Sequence, residues 1–343
     1  MGKTTIPWTD ETWNPVTGCS IVSPGCENCY AAAIALRFKR TPFPWTGNHA
    51  ADNVRLHGER LEEPLHWQTP RRVFVNSMSD LFHELVPDDF LDRVFTIMAL
   101  TPHLTYQILT KRPERMLAYM TERSAQQMND AIDAASLWLK WGSSLRLTTT
   151  WPLPNVWLGT SVEDQRRADE RIPLLLLTPA AVRFLSVEPM LDAVDIGMSS
   201  AVCSCCPRWP SRWVRLSRSV RADPYLMMID RPRATATAGI YRAKSNWHGA
   251  LSVPANDGKH LGLKPAEFEA LPRLDWVICG GESGPHARPM DIDWARSVRD
   301  QCAAAGVPFF YKQLGGRYPD RDRLLDGRMW EEMPVWQPAA VAP

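Results

Sequence analysis

The chain has 343 residues, a length that predicts about two domains or one large α/β barrel. Its 39 basic and 38 acidic side chains nearly balance, and 45% hydrophobic residues are typical of a folded soluble protein. The longest mainly apolar stretch, Pro173 to Val182, is shorter than the roughly 18 residues of a membrane span. The polar start also lacks a signal-peptide core. We therefore expect a cytoplasmic protein without membrane contact.

Short runs rich in β-branched and aromatic residues predict about six strands. These runs are Val73–Val75, Leu104–Leu109, Val156–Leu158, Val182–Leu185, Trp276–Ile278 and Pro308–Tyr311. Several neighbouring runs lie about 30 residues apart, which is the length of one strand and a returning helix. Helices are predicted to begin at Pro87 and after the N-cap candidate Asp291, the second ending at Gly306. The sequence thus predicts an α/β fold, a partial TIM-type (β/α) barrel in residues 1–196 and 272–316.

A polar cluster follows each predicted strand directly. The clusters begin at Asn76, Thr110, Thr160, Ser186, Gly280 and Lys312. In a parallel barrel these clusters lie together on the carboxyl rim, where such folds place their active sites. Ordinary turn formation is the alternative for any single cluster. We expect Asp80 and His83 to stabilise the loop after the first of these strands.

Residues 197–271 interrupt the barrel pattern and are predicted to be an insertion, and residues 317–343 form a C-terminal tail. The segment 203–247 contains eight Arg and one Lys but two Asp, so it carries a net charge of +7. Tryptophan and tyrosine residues lie between these cations. Such a basic aromatic segment is typical of a nucleic-acid contact, although a solvated loop has the same composition.

Eight cysteines are too few for a disulfide scaffold, so we expect thiols or metal ligands. Cys19, Cys26 and Cys29 have the spacing C-x6-C-x2-C, and Gly18, Pro24 and Gly25 permit tight turns between them. Structural zinc needs a fourth protein ligand, for which His49 or His57 is the nearest histidine. A [4Fe–4S] cluster held by three thiolates instead leaves one iron open. Cys203, Cys205 and Cys206 form a second, weaker cluster, whereas Cys279 and Cys302 are predicted core residues.

The motifs of this chain resemble those of the radical SAM superfamily and, more closely, of an uncharacterised phage and bacterial family related to it. The residues that carry the resemblance are Trp13-Asn14-Pro15-x-x-Gly18-Cys19, Gly25-Cys26-x-x-Cys29-Tyr30, Asn76-Ser77-Met78-Ser79-Asp80-Leu81-Phe82, Leu109-Thr110-Lys111-Arg112-Pro113-Glu114, Gly159-Thr160-Ser161-Val162-Glu163, Ser186-Val187-Glu188-Pro189-Met190 and Gly280-Gly281-Glu282-Ser283-Gly284. The resemblance covers about residues 6–195 and 272–316.

The resemblance implies that Cys19, Cys26 and Cys29 bind a [4Fe–4S] cluster whose open iron chelates S-adenosylmethionine. A reductant protein such as flavodoxin or ferredoxin would supply one electron, and the resulting 5′-deoxyadenosyl radical would abstract hydrogen from a substrate. Occurrence of the family in phages implies a modification of nucleic acid in the host cytoplasm. We expect modification or rearrangement of a substituent on a pyrimidine base of DNA.

The sequence departs from the superfamily pattern in two places. The usual first cysteine gap is three residues rather than six, and Asn28 replaces the aromatic residue before the third cysteine, so that Tyr30 follows the motif. The segment Asn76, Ser77, Met78 and Ser79 stands where the superfamily often has Gly-Gly-Glu. We expect this segment, Tyr30, Ser161 and Glu163 to contact the cofactor. Lys111, Glu188, Glu282 and Lys312 are the candidates that face the substrate, with rim salt bridges as the alternative.

Two other classes of protein fit the same residues. The first is a zinc-stabilised nucleic-acid-binding or partner protein in which the three cysteines are structural. The second is a metal-dependent hydrolase that activates water at the barrel rim. This hydrolase would need a mouth rich in histidine, and only His83 and His286 lie near the strand-end clusters.

Overall fold

The structure is a computed structural model of the chain that describes residues 4–138, 150–197, 213–216, 226–228, 268–270, 273–317 and 323–335. The strands of this part are β1 (Glu11–Trp13), β2 (Val16–Thr17), β3 (Arg55–Leu56), β4 (Arg72–Val75), β5 (Thr105–Thr110), β6 (Val156–Ser161), β7 (Val182–Val187), β8 (Trp213–Leu216), β9 (Leu226–Met228), β10 (Phe268–Ala270), β11 (Trp276–Gly280), β12 (Phe309–Gln313), β13 (Leu324–Leu325) and β14 (Arg328–Met329). The α-helices are α1 (Tyr30–Arg37), α2 (Ala50–Asn53), α3 (Asp88–Leu100), α4 (Pro113–Glu122), α5 (Ala125–Trp138), α6 (Gln165–Leu177) and α7 (Ile292–Ala305). Short 3-10 helices span Pro24–Cys26, Gly47–His49, Gly58–Arg60 and Glu63–His66.

The centre of the fold is a seven-stranded sheet with the strand order β1-β4-β5-β6-β7-β11-β12. Every neighbouring pair in this sheet is parallel. The sheet curls into a half-barrel, which confirms the predicted α/β class and partial barrel. All six predicted strands are present as β4 to β7, β11 and β12, and β1 adds a seventh at one edge.

Side chains alternate between the two faces of the sheet, as the period of a β-strand requires. Val73 and Val75 of β4 join the apolar cluster that includes the helices α3 and α7. Phe74 points to the other face, where a second cluster includes Trp157, Trp276 and Phe310. Burial on both faces explains why the strands appear in the sequence as continuous apolar runs.

The helices begin and end where the sequence predicts. The carboxylate of Asp291 accepts a hydrogen bond from the backbone N–H of Asp293 at 2.9 Å and caps the start of α7. Gly306 ends α7 in the left-handed conformation, with φ at 64°. Pro87 precedes α3, whose first turn contains two aspartates that favour a helix N-terminus. Cys279 and Cys302 are buried in the core, as predicted.

Parts of the predicted insertion and tail are also described. Strands β8, β9 and β10 form an antiparallel sheet of order β10-β8-β9. The rest of the basic segment 203–247, with Cys203, Cys205 and Cys206, lies outside the described residues. The tail forms the hairpin β13–β14 and packs along the sheet. The backbone carbonyl of Trp330 accepts the N–H of Tyr311, and the backbone carbonyl of Glu332 accepts the indole N–H of Trp276, each at 2.8 Å. Across the described ranges, no helix has the length and apolar character needed to span a membrane.

Candidate functional site

A cavity of about 540 Å³ opens at the carboxyl ends of β5 and β6. Six of the sequence-predicted site residues line it, namely Cys19, Cys26, Cys29, Tyr30, Lys111 and Ser161. The other predicted residues do not line it: Asn76, Ser77, Met78, Ser79, Glu163, Glu188, Glu282 and Lys312. The fold therefore brings the three cysteines together at the predicted rim of the sheet, although they lie up to ten positions apart in a loop.

Tight backbone turns shape the loop that carries the cysteines. Gly18 has φ at +81°, and a Cβ atom at this position would lie 2.1 Å from the carbonyl oxygen of Asn53. Only glycine fits both this conformation and this close approach. A 3-10 turn at Pro24–Cys26 then reverses the chain, and the N–H of Cys29 donates to the carbonyl of Cys26 at 3.3 Å. The loop thus places all three sulfurs on the cavity wall.

All three cysteines of the loop are free thiols. Burial raises the pKa of Cys19 to about 12, and the nearby Asp80 carboxylate acts in the same direction. Burial also raises the pKa of Cys29. Both thiols are therefore protonated at neutral pH in the metal-free protein. Metal binding at this loop must displace these protons, which makes metal affinity dependent on pH.

A zinc ion and an iron–sulfur cluster place different demands on the three cysteines. A tetrahedral zinc ion needs its ligands to converge on one point with Zn–S bonds of about 2.3 Å. No group of three Cys, His, Asp or Glu side chains in the described ranges is placed to hold a metal ion. A [4Fe–4S] cluster binds each cysteine at a different iron, so its three thiolates surround a larger body. The three cysteines line one cavity, and their use as cluster ligands stays a prediction.

A buried arginine lies behind Cys19. Arg112 donates to the Cys19 sulfur at 3.5 Å, to the Asp80 carboxylate at 3.1 Å and to the Glu84 carboxylate at 3.0 Å. It also donates to the hydroxyl and carbonyl of Ser20, so its fork of N–H groups is fully used. Burial alone would lower the pKa of Arg112, but the charges of Asp80 and Glu84 and the Cys19 sulfur together outweigh burial and raise it. Arg112 therefore stays charged beside the first cysteine.

Asp80 and His83 stabilise this part of the site, as predicted. The Asp80 carboxylate accepts four hydrogen bonds, from the N–H of Phe82, the N–H of Lys111, the Thr110 hydroxyl and Arg112. The Nδ1 atom of His83 accepts the N–H of Leu85 at 3.1 Å, and its Nε2 lies 2.9 Å from the Ser20 hydroxyl. With both ring nitrogens occupied, His83 offers no free metal ligand.

Two carboxylates join the cysteine loop to the carboxyl ends of distant strands. Glu163 is completely buried, accepts the N–H of Gly25 at 3.2 Å and forms an ion pair with Arg171 at 3.1 Å. Glu282 accepts two hydrogen bonds from the Arg288 side chain and one from Asn28. These contacts hold the loop from two sides. They supply a structural function for both carboxylates, whereas their predicted contacts with cofactor and substrate remain predictions.

Arg288 completes this arrangement by bridging the loop itself. Its guanidinium donates to the carbonyl of Pro24 at 2.8 Å and to the Glu27 carboxylate at 2.9 Å, besides Glu282. Asn28 donates to the carbonyl of His286 at 3.0 Å as well as to Glu282. We name the set of Asn28, Glu282 and Arg288 the loop clasp. Asn28, the residue that departs from the superfamily pattern, is thus a member of the clasp.

The predicted lysines take part in a polar chain whose residues come from the ends of four strands, β5, β6, β7 and β12. Lys111 donates to the Ser161 hydroxyl at 2.8 Å, and this hydroxyl donates to the carbonyl of Glu188 at 2.8 Å. Lys312 forms an ion pair with Glu188 at 2.5 Å. Lys111 has no carboxylate within ion-pair distance in the described part of the chain. Its positive charge therefore faces the cavity without a counter-charge from a described side chain.

The segment after β4 supports the cysteine loop from outside the cavity. The Asn76 side-chain oxygen accepts the N–H of Val16 at 3.2 Å, and the Ser79 hydroxyl donates to the carbonyl of Val16 at 2.8 Å. The carbonyl of Met78 accepts the N–H of Gly18, and the carbonyl of Ser77 accepts the Tyr30 hydroxyl. The predicted contacts of Asn76, Ser77, Met78 and Ser79 with a cofactor remain predictions.

Fold and site together define a class of α/β protein, one with a half-barrel of parallel strands and a thiol-lined cavity at its carboxyl edge. The chain belongs to the DUF5131 family, described as proteins of unknown function, whose sequence profile matches residues 3–334. This match extends across the interrupting segment and into the tail. Neither the curated proteins nor the solved structures contain a match to this chain.

Proposed function

We propose that the chain is a radical S-adenosylmethionine enzyme in which Cys19, Cys26 and Cys29 hold a [4Fe–4S] cluster. The observation that carries the proposal is that these three free thiols line one cavity at the carboxyl edge of a parallel half-barrel. This edge is where βα barrels of the TIM type place their chemistry. The proposal also takes the half-barrel to be a TIM-type barrel that stops short of closure.

The cluster, when bound together with S-adenosylmethionine, supplies a 5′-deoxyadenosyl radical for hydrogen abstraction. The protein's own residues contribute binding, orientation and exclusion of water. Lys111 and Ser161 face the cavity and would bind the carboxylate or ribose of the cofactor or an anionic group of the substrate. Glu163 and the loop clasp fix the loop, so that the three thiols keep their spacing around the site.

The predicted substrate is a pyrimidine base of DNA, altered or rearranged at a substituent. Most of the segment 203–247, on which this prediction partly rests, lies outside the described residues. Structural support for the substrate prediction must therefore come from a surface of the described residues. A reductant protein such as flavodoxin or ferredoxin would deliver the electron for the reductive cleavage of S-adenosylmethionine.

Anaerobic reconstitution with iron and sulfide tests the proposal. We expect about four irons per chain, a brown protein with absorbance at about 400 nm, and 5′-deoxyadenosine after addition of reductant and S-adenosylmethionine. The variant Cys26→Ala should lose the colour and the product. The matched control Cys302→Ala, which alters a core cysteine remote from the loop, should keep both.

Metal analysis separates the proposal from its alternatives. One zinc and no iron in the purified protein would favour the zinc-stabilised binding protein and contradict the enzyme. A hydrolase would require histidines at the mouth, but His83 uses both ring nitrogens in hydrogen bonds. The hydrolase therefore has the least support from the described residues.

A further inference from the structure

The turn after helix α1 lies on the rim of the thiol-lined cavity. Ala33 and Leu36 of α1 line the cavity, and Pro44 and Trp45 line it again after the turn. Residues 37–43 connect these two pairs, so both ends of the connection border the cavity. We name residues 37–43 the rim segment. A molecule bound to the rim segment can extend from it directly into the cavity.

The rim segment is strongly basic. Arg37, Lys39 and Arg40 are exposed, and the segment contains no acidic residue, so it carries a net charge of +3. None of the three has a carboxylate within 4.0 Å among the residues that the structure describes. Elsewhere on the described surface, most arginines pair with a nearby acid. Three adjacent cations without counter-charges create a local positive potential that attracts polyanions.

Two aromatic rings are exposed within this charged surface. Phe38 is 60% exposed and Phe43 is 40% exposed. The guanidinium groups of Arg37 and Arg40 lie 5.5 and 5.7 Å from the centre of the Phe38 ring. The Phe43 ring stacks on His49 with its centre 4.3 Å away. Exposed rings beside arginines match the stacking platforms of proteins that bind single-stranded nucleic acid.

Lys39 occupies a backbone conformation that favours glycine. The N–H of Lys39 bonds to the carbonyl of Leu36, and the N–H of Arg40 bonds to the carbonyl of Ala35. These bonds form a Schellman motif, in which the residue at the position of Lys39 is usually glycine. Lys39 has φ at 53° and pays a conformational cost there. The Lys39 side chain therefore adds its positive charge to the rim segment despite this conformational cost.

We propose that the rim segment binds single-stranded nucleic acid and presents an unpaired base to the thiol-lined cavity. Arg37, Lys39 and Arg40 would bind phosphates, and Phe38 and Phe43 would stack with bases. Because this proposal names the substrate class of the proposed radical reaction, it rests on the proposed function. An acidic electron-donor protein would also be attracted by three cations, but the two exposed rings favour bases over an acidic surface.

Fluorescence anisotropy with a labelled single-stranded DNA of mixed sequence tests the proposal. The triple variant Arg37→Gln, Lys39→Gln and Arg40→Gln should bind more weakly, and the slope of log K against log salt should fall by about 2. The variant Phe38→Ala should bind about tenfold more weakly with an unchanged salt slope. The control triple variant Arg166→Gln, Arg273→Gln and Arg328→Gln removes the same charge from exposed positions elsewhere and should bind like the wild type.

The variant Lys39→Gly separates binding from folding. Glycine relieves the left-handed strain, so Tm should rise by about 2 °C while the salt slope falls by about 0.7. If the three cations only stabilise the C-terminus of α1, Lys39→Gly would alter stability and leave DNA binding unchanged. That result, or wild-type affinity in the Gln triple variant, would overturn the proposal.

The same variants also show whether nucleic acid or a protein binds to the rim segment. Loss of electron uptake from reduced flavodoxin in the Gln triple variant, with DNA affinity retained, would assign the surface to a protein donor instead. Binding is measured with both metal-free and reconstituted protein, and absence of DNA binding in both forms would also overturn the proposal. Binding without formation of 5′-deoxyadenosine would contradict the proposed function alone.

Discussion

Glu163 accepts a hydrogen bond from the backbone N–H of Gly25 at 3.2 Å, and this bond joins the end of β6 to the cysteine loop. The two residues are 138 positions apart in the chain. Glu163 is fully buried, and its charge is balanced by Arg171. A Cβ atom on Gly25 would lie 3.1 Å from the Glu163 side chain, so the loop and the carboxylate are in tight contact. The position of Cys26 therefore depends directly on Glu163.

We expect Glu163→Gln to destabilise the protein and weaken metal binding together. Glutamine fills the same space but leaves the buried Arg171 without a counter-charge, which costs about 3 kcal/mol. Urea denaturation should report this loss, and reconstituted protein should contain less iron. The control Glu170→Gln weakens the two ion pairs of Glu170, an exposed residue of α6, with Arg166 and Arg167, and should change stability by less than about 1 kcal/mol. Equal stability of the two variants would contradict the assigned role of Glu163.

Arg112 and Asp80 should show strong coupling in a double-mutant cycle. Arg112→Gln leaves the buried Asp80 carboxylate without a cation, and Asp80→Asn leaves Arg112 with only the exposed Glu84 as its acid. Each change should lower the free energy of unfolding by up to about 3 kcal/mol. The double variant should lose clearly less than the sum of the two single losses, because it buries no unpaired charge. The free energies come from denaturant titrations of the four proteins. Simple additivity would show that the two charges act independently.

The strands were predictable because burial on both faces leaves a continuous apolar run in the sequence. Val73–Val75 and Trp276–Ile278 are such runs, and both lie within strands of the sheet. β1 has three residues and forms by parallel pairing with β4, some 60 positions later in the chain. A strand this short has no periodicity of its own to detect. Its place in the sheet follows from tertiary pairing.

The sequence also predicted several residues that line the cavity, but not the residues that support the cysteine loop. Cysteine spacing and polar residues at strand ends indicated Cys19, Lys111 and Ser161, which line the cavity. The roles of Arg112 and Arg288 were missed. Arg112 contacts Cys19 over 93 positions, and Arg288 contacts Glu27 over 261 positions. Such contacts depend on the three-dimensional path of the chain, and no local sequence pattern encodes them. Arg112 does lie in the motif Leu109–Glu114, but the motif alone does not indicate its contact with Cys19.

The loop clasp should give the protein a measurable dependence of stability on pH. Burial alone would raise the pKa of Glu282, but the hydrogen bonds from Arg288 and Asn28 outweigh burial and hold it below its ordinary value of 4.5. A lowered pKa adds stability that is present above pH 4.5 and is lost as pH falls through the folded-state pKa. The stability difference between wild type and Glu282→Gln should thus be largest near pH 7 and shrink below about pH 4.

Denaturant titrations of both proteins between pH 7 and pH 3 measure this difference. The control Glu62→Gln changes an exposed carboxylate that forms no ion pair in the described structure, so its difference from wild type should stay flat across the range. A difference between wild type and Glu282→Gln that grows as the pH falls would reverse the expected sign. Such a result would show that Glu282 is destabilising in its charged form.

Gly18 offers the most severe test of the loop geometry. Gly18→Ala places a Cβ atom 2.1 Å from the carbonyl oxygen of Asn53, a backbone atom that cannot move without shifting α2. It also forces alanine to adopt φ at +81°. Gly284→Ala is the matched control, because Gly284 also has a positive φ, at +119°, but no atom lies within 4 Å of the added methyl group.

Gly284→Ala therefore isolates backbone strain, which costs about 1–3 kcal/mol, and Gly18→Ala adds a steric clash to that cost. We expect Gly18→Ala to be the less stable variant by at least about 2 kcal/mol and to lose bound iron after reconstitution, while Gly284→Ala retains it. Because the clash lies next to Cys19, iron loss without a matching loss of stability would mean that the loop rearranges locally. Normal iron content in Gly18→Ala would contradict the dependence of the thiol arrangement on this turn.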